Sequence, residues 1–267
     1  MNLALFAHTW RANRTRVLIV AIALAVWGTF LPIIYDSFGS AFKDIFASGA
    51  LPPQFAQFGG GDIFSLSGSV AIGFIHPIAV GLNLVFAVGF ATAAIAGERQ
   101  RGTLEVLLSR PISRRVLYAT LAICGALFVG IAVFGSIVGS LVGAGLTGRT
   151  SELGVGQLPL LWLNGALLYW TIGAIGLLAS ASFDRLSQAL GLTLAFVAVS
   201  YFLEVLGSLW PDAQGLQAYS VFHYLDPKSI LAGLPDVTDI VVLGAITALA
   251  VVAALVLFPR RDLAAPS

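Results

Sequence analysis

A chain of 267 residues in which 58% of side chains are hydrophobic and only 10% charged, with mean hydropathy +0.94, has too little polar surface to fold as a water-soluble globule. The class that remains is an all-α integral membrane protein. The formal net charge of +1 comes with cations gathered in short clusters rather than on one basic face, so no nucleic-acid partner is expected. Cys124, the single cysteine, lies inside an apolar run, which excludes an internal disulfide or a cysteine metal cluster.

In chain order, residues 1–16 set Leu3, Leu5, Phe6 and Trp10 beside His8, Arg11, Arg14 and Arg16. That pattern predicts an N-terminal amphipathic helix lying in the headgroup layer of the bilayer. Residues 17–35 are apolar throughout and long enough for a first span, and without a convincing cleavage site after them the span is expected to be retained. Residues 36–69 mix Asp36, Lys43, Asp44, Pro52, Pro53, Gly59 to Gly61 and Asp62, which reads as a loop. Within it Phe38, Phe42, Ile45 and Phe46 have the spacing of a short interfacial helix.

The second span is predicted over 70–96, with Pro77 after His76 forcing a kink or a broken first turn, and Asn83 as its central polar residue. Residues 116–146 form a long third span in which Gly135, Gly139 and Gly143 make consecutive GxxxG steps. Such a face lets two helix backbones approach closely, within the subunit or between subunits. A short loop, 147–157, precedes spans at 158–182 and 186–210, and a longer loop, 211–236, precedes the last at 237–258. Residues 1–267 thus read as one transmembrane domain of six helices.

Six spans put both termini on one side. Arg11, Arg14, Arg16, Arg99, Arg101, Arg110, Arg114, Arg115, Arg185, Arg260 and Arg261 fall on that side, against Lys43, Arg149 and Lys228 on the other. Eleven cations against three assign the termini and the 97–115 segment to the cytoplasm of a multi-pass cell-membrane protein.

That segment, GERQRGTLEVLLSRPISRR from Gly97 to Arg115, is where charge crowds between two long apolar runs. Thr103 can cap a short helix, Leu104, Leu107 and Leu108 fall on one face, and Pro111 forces Arg110 out of helical geometry. About two turns of helix are unstable alone in water, so the leucine face must dock on something.

The chain carries no chemistry of its own by motif. Its two lysines, Lys43 and Lys228, do not follow a glycine, so there is no GxxxxGK[ST] phosphate loop. His8, His76 and His223 are far apart, and neither an HExxH motif nor a nucleophile elbow occurs, so no catalytic residue, metal site or cofactor is expected in this chain.

The pattern Glu98, Gly102-Thr103-Leu104-Glu105, Leu107-Leu108, Pro111 and Ser113-Arg114 resembles the signature of type-2 ATP-binding-cassette (ABC) exporter permeases. The six spans, the amphipathic N-terminus and the cytoplasmic termini agree with that family in architecture. The resemblance implies that Glu98 to Arg115 include a short cytoplasmic coupling helix between the second and third spans, gripped by a separate cytosolic ABC ATPase. It implies two copies of that ATPase, which would bind the ATP and magnesium, and a second permease subunit, identical or homologous. On this reading the leucines supply the docking face, and Arg99, Arg101 and Glu105 make charge-assisted contacts that fix register.

Glu204 is a carboxylate well inside an apolar span. With Trp210 at the outer interface, it lies about 9 Å below that interface at 1.5 Å per residue. His76 begins the second span at a similar depth, which leaves two readings: a polar pair of His76 and Glu204 at an outer gate or substrate exit, or an interfacial carboxylate that simply reaches water. Asn83, Asn164 and Tyr169 either line a pathway or hydrogen-bond between helices. Two other functions fit the same residues: a gradient-driven secondary transporter using Glu204 and His76 to handle protons, and a non-transporting scaffold that tethers a partner through the 97–115 segment.

Overall fold

The structure, a computed structural model, describes residues 2–48, 65–109 and 111–261, and no strand occurs among them. Six helical segments are long and apolar enough to cross a membrane: Leu3–Gly39, Pro77–Gln100, Arg114–Leu146, Val155–Ser182, Leu186–Leu209 and Val237–Arg260. The protein is therefore the all-α, six-span membrane protein that its composition demands.

The first helix corrects the expected division into interfacial helix, span and loop. Residues Leu3–Ala47 form one continuous helix, α1, about 68 Å long at 1.5 Å per residue. Nothing between Arg16 and Val17 breaks helical geometry, and Pro32 removes a single hydrogen bond from a helix supported by a neighbour. Part of the apolar side turns onto the protein: Leu5 is buried, the Trp10 ring lies 5.6 Å from that of Phe128, and the Asn2 N–H donates to Thr120 Oγ1 at 3.1 Å, while Leu3 stays exposed. Phe38, Phe42, Ile45 and Phe46 fall on the last turns of α1 rather than on a helix of their own. Pro52, Pro53, Gly59 to Gly61 and Asp62 lie outside the described residues.

The partner of α1 is the third span, α5 (Arg114–Leu146), which runs parallel to it. A Cβ built on Gly135, Gly139 or Gly143 would come within 2.2 Å of Ala21 O, 2.0 Å of Ala25 O and 2.5 Å of Thr29 O in turn. The stepped glycine face is thus filled by the backbone of α1 within the subunit. The Thr29 hydroxyl lies 3.1 Å from the Gly139 carbonyl oxygen and reinforces the contact. In a bilayer, where apolar burial between helices gains little, such close packing and interhelical hydrogen bonding hold the pair.

Between them the chain forms α2 (Leu66–Ile75) and α3 (Pro77–Thr92), separated at His76, whose backbone is extended. Pro77 breaks the apolar run as expected, because its ring is incompatible with a helical residue before it. The second membrane-spanning helix accordingly starts at Pro77 rather than at residue 70. Helix α3 continues through one π turn, Ala93–Gly97, and a last α turn, Glu98–Gln100. After the short α4 (Thr103–Leu108) and then α5, the fourth span α6 (Leu158–Ser182) occupies the centre, with Leu161, Leu168, Tyr169, Ile172 and Leu177 buried.

The fifth and sixth spans, α7 (Leu186–Leu209) and α9 (Val237–Arg260), are peripheral, with Leu192, Val199, Phe202, Leu249 and Val252 exposed as on lipid-facing helices. Thr171 on α6 meets Thr247 on α9, hydroxyl to hydroxyl, at 2.8 Å. Between α7 and α9 lie two 3₁₀ segments, Pro211–Tyr219 and Val221–Tyr224, and the short α8 (Pro227–Leu231). At that end of the bundle Arg149 pairs with Asp36 at 2.7 Å and Glu152 at 3.1 Å, and the two carboxylates hold its guanidinium above its ordinary range.

Candidate functional site

The 97–115 segment is assembled from the second span outward. A π turn shifts the hydrogen-bond register by one residue and leaves backbone groups to be met from outside the helix. Ser180 of α6, fully buried, meets them: its hydroxyl accepts from the N–H of Ile95 at 3.1 Å and of Ala96 at 2.9 Å, and donates to the Thr92 carbonyl at 2.7 Å. The exit of the second span is thereby fixed to the fourth.

Beyond it the chain turns on Gly102, whose φ of +73° lies in the left-handed region that glycine adopts without steric cost. The turn is tied by side chains. Arg101 and Thr103 both contact the Glu98 carboxylate, and the Thr103 hydroxyl reaches the Glu98 carbonyl oxygen at 3.0 Å. The expected Thr103 cap is therefore corrected: Gly102 occupies the N-cap, and Thr103 is the first helical residue, tied back to Glu98. The helix ends after Leu108 with Ser109 at its C-cap. Arg110 lies outside the described residues.

The orientation of α4 corrects the expected docking face. Leu104 is 1% exposed and packs with Leu5, Ile95, Leu117, Tyr118 and Phe258, while Leu108 and Ile112 lean on the same cluster. Leu107 lies at the margin, lining a small pocket beside α1. The leucine face thus docks on the protein's own bundle, because that is the nearest apolar surface a short helix can use. What α4 turns outward is Glu105, Val106 and Ser109, with Val106 64% exposed.

The arginines are likewise engaged within the chain. Arg99, largely buried, pairs with Asp184 at 2.5 Å, and Arg261 bonds the same carboxylate. Gln100 Oε1 accepts from the Leu186 N–H at 3.1 Å. Past Pro111, Ser113 caps α5 by accepting from the Val116 N–H at 3.3 Å. Arg114 donates to the carbonyl oxygens of Arg261 at 2.5 Å, Pro259 at 3.4 Å and Phe258 at 3.5 Å, placing a cation at the negative end of α9. Asp184, Ser180 and Arg261 were not expected here. An acid in the short turn between the fourth and fifth spans, on the side holding the arginine cluster, was the available signal for Asp184; nothing local marks Ser180.

At the other end of the bundle the expected pairing of His76 with Glu204 is replaced by different partners. His76 caps α3, its Nδ1 accepting from the Ile78 N–H at 3.3 Å, and its ring lies 4.7 Å from that of Trp27. The segment after Trp210 folds back along α7, so Gln217 Nε2 donates to Glu204 Oε1 at 2.9 Å and His223 Nδ1 stands 3.9 Å from Oε2. A loop that returns over its own helix supplies nearer partners than a neighbouring span. Asn83, Asn164 and Tyr169 are all buried. Asn83 Nδ2 donates to the Ala79 carbonyl at 2.9 Å, Asn164 Nδ2 to that of Tyr224 at 2.8 Å, and the Tyr169 hydroxyl to that of Phe74 at 3.4 Å.

The arrangement is a braced helical hairpin on the end of a six-span bundle, tied to the fourth, fifth and sixth spans and presenting a small outward face. No curated protein matches the chain. Among known protein families, that of the ABC-2 family transporter protein matches residues 6–263, and with nearly the whole length matched the chain belongs to the ABC-2 family of transporter membrane proteins.

Proposed function

We propose that this permease is the transmembrane subunit of an ATP-driven exporter in the cell membrane, with both termini cytoplasmic. It works with two copies of a cytosolic ABC ATPase, which bind the ATP and magnesium, and with a second permease subunit, identical or homologous. The observation that carries the reading is the split character of α4: Leu104 is buried in the bundle while Val106 stands exposed beside Glu105. A helix rooted on one side and presenting an apolar residue within a charged surround on the other has the anatomy of a small docking site. The residues flanking it are tied down, Arg99 to Asp184, which also holds Arg261, and Arg114 to the α9 terminus, so a push on that face reaches several spans together. Closure of the ATPases moves α4 as a rigid piece, and the tilting spans open a path outward.

Co-purification with a cytosolic ABC ATPase co-expressed with the permease tests this reading. Val106→Asp is expected to abolish the complex while leaving the permease folded, because a charge at an apolar contact centre is costly and Val106 is largely exposed in the subunit. Leu104→Ala is expected to lower the melting temperature first. An ATPase that binds Val106→Asp as tightly as the native chain rules out this face as its seat.

A further inference from the structure

Beside Glu204, at the end of the bundle remote from α4, lies an open cleft of about 630 Å³, within the range that holds a drug-sized molecule. It is walled by the end of α7, the returning 3₁₀ segments and α8. Tyr201 and Phe222 form part of the wall, their rings edge to face at 5.5 Å. Glu204 lines it with an incompletely satisfied carboxylate: Oε1 takes a bond from Gln217, whereas Oε2 has no partner at hydrogen-bond distance among the described residues, the Ser220 hydroxyl and His223 Nδ1, at 3.9 Å, being the polar groups that face it. A buried acceptor left unmet is costly, and natural proteins rarely keep one without use. The other charged residues on the lining are Asp226, whose carboxylate already caps α8 through the Ser229 N–H at 3.0 Å, and Lys228.

We infer that this cleft binds a lipophilic organic cation, its charge against the Glu204 carboxylate and its apolar body against Tyr201 and Phe222. A carboxylate short of one partner attracts positive charge, aromatic faces add cation–π attraction, and the volume accommodates far more than a proton or a bare metal ion. As a statement about cargo it rests on the export reading, whereas binding to the cleft does not require an ATPase.

The test uses the full-length permease alone, in nanodiscs of zwitterionic lipid, with radiolabelled tetraphenylphosphonium measured by equilibrium dialysis against empty nanodiscs. Saturable binding at one site per chain is expected. Glu204→Gln should weaken it about tenfold, the loss of one desolvated charge contact, and Glu204→Asp by less. Should Glu204→Gln fail to fold, Lys228→Glu still decides, since replacing the cleft's cation with an anion should tighten binding several-fold. Absence of saturable binding to the native chain, Glu204→Gln binding as the native chain does, or Lys228→Glu leaving affinity unchanged would each overturn the inference. Because no ATPase is present, a failure here is separate from a failure of α4 to dock one.

Discussion

Ser180 on the fourth span accepts the Ala96 N–H of the second at 2.9 Å, within the π turn that precedes Glu98. With the Ile95 N–H and the Thr92 carbonyl on the same hydroxyl, one buried side chain satisfies three backbone groups. Ser180→Ala is therefore expected to cost about 2 kcal/mol, since it orphans groups that cannot reach water. Scanning fluorimetry of the purified permease checks it, and an unchanged melting curve would show that the turn finds its partners elsewhere.

Asp184 joins the second span to the sixth by holding Arg99 at 2.5 Å and Arg261 on the same carboxylate. The carboxylate is half exposed, so its loss should lower stability by only about 1 kcal/mol. On the proposed function the larger effect falls on coupling: Asp184→Asn should keep an ATPase bound but slow transport several-fold, and Asp184→Glu should restore part of the rate. Full transport by Asp184→Asn in reconstituted vesicles would mean that the brace carries no force.

The α1–α5 seam predicts opposite outcomes for two glycines on one helix. At Gly139 a methyl group would stand 2.0 Å from the Ala25 carbonyl oxygen, so Gly139→Ala must push α1 away, at a cost of about 2–3 kcal/mol. At Gly145 nothing lies within 4 Å, and Gly145→Ala should be neutral or stabilise by up to about 1 kcal/mol through helix propensity. Equal melting temperatures for the two variants would contradict the packing.

Asp236 caps α9, accepting from the Thr238 N–H at 2.8 Å, and hydrogen bonds from the Thr238 side chain and backbone hold its carboxyl below the ordinary value of 3.8. A depressed carboxylate stabilises the fold fully above its unfolded pKa and loses that contribution as pH falls through the folded one. The native chain should thus melt higher than Asp236→Ala at neutral pH, with the gap closing below about pH 4. A difference independent of pH would assign the effect to something other than the charged cap.

The breaks in this fold were local and legible. Pro77 ends one helix and starts another because its ring forbids a helical neighbour, and the glycines at 135, 139 and 143 mark a close approach because only they allow one. The family signature in 97–115 was equally local. By contrast, the missing break after Arg16 is visible only as the absence of a breaker, and α1 runs through the point where polarity changes.

Run length and hydropathy alone determined the six spans, since crossing hydrocarbon requires about 20 consecutive apolar residues whatever they pack against. Which apolar face meets protein and which meets lipid was decided only by the tertiary structure. A leucine gains almost as much from either surrounding, so periodicity put Leu104, Leu107 and Leu108 on one face of α4 without saying that the bundle itself would cover it. The partners of Glu204 were beyond reach for a related reason: Gln217 and His223 meet it because a polar loop folds back over its own helix, a path set by packing and not by any local pattern.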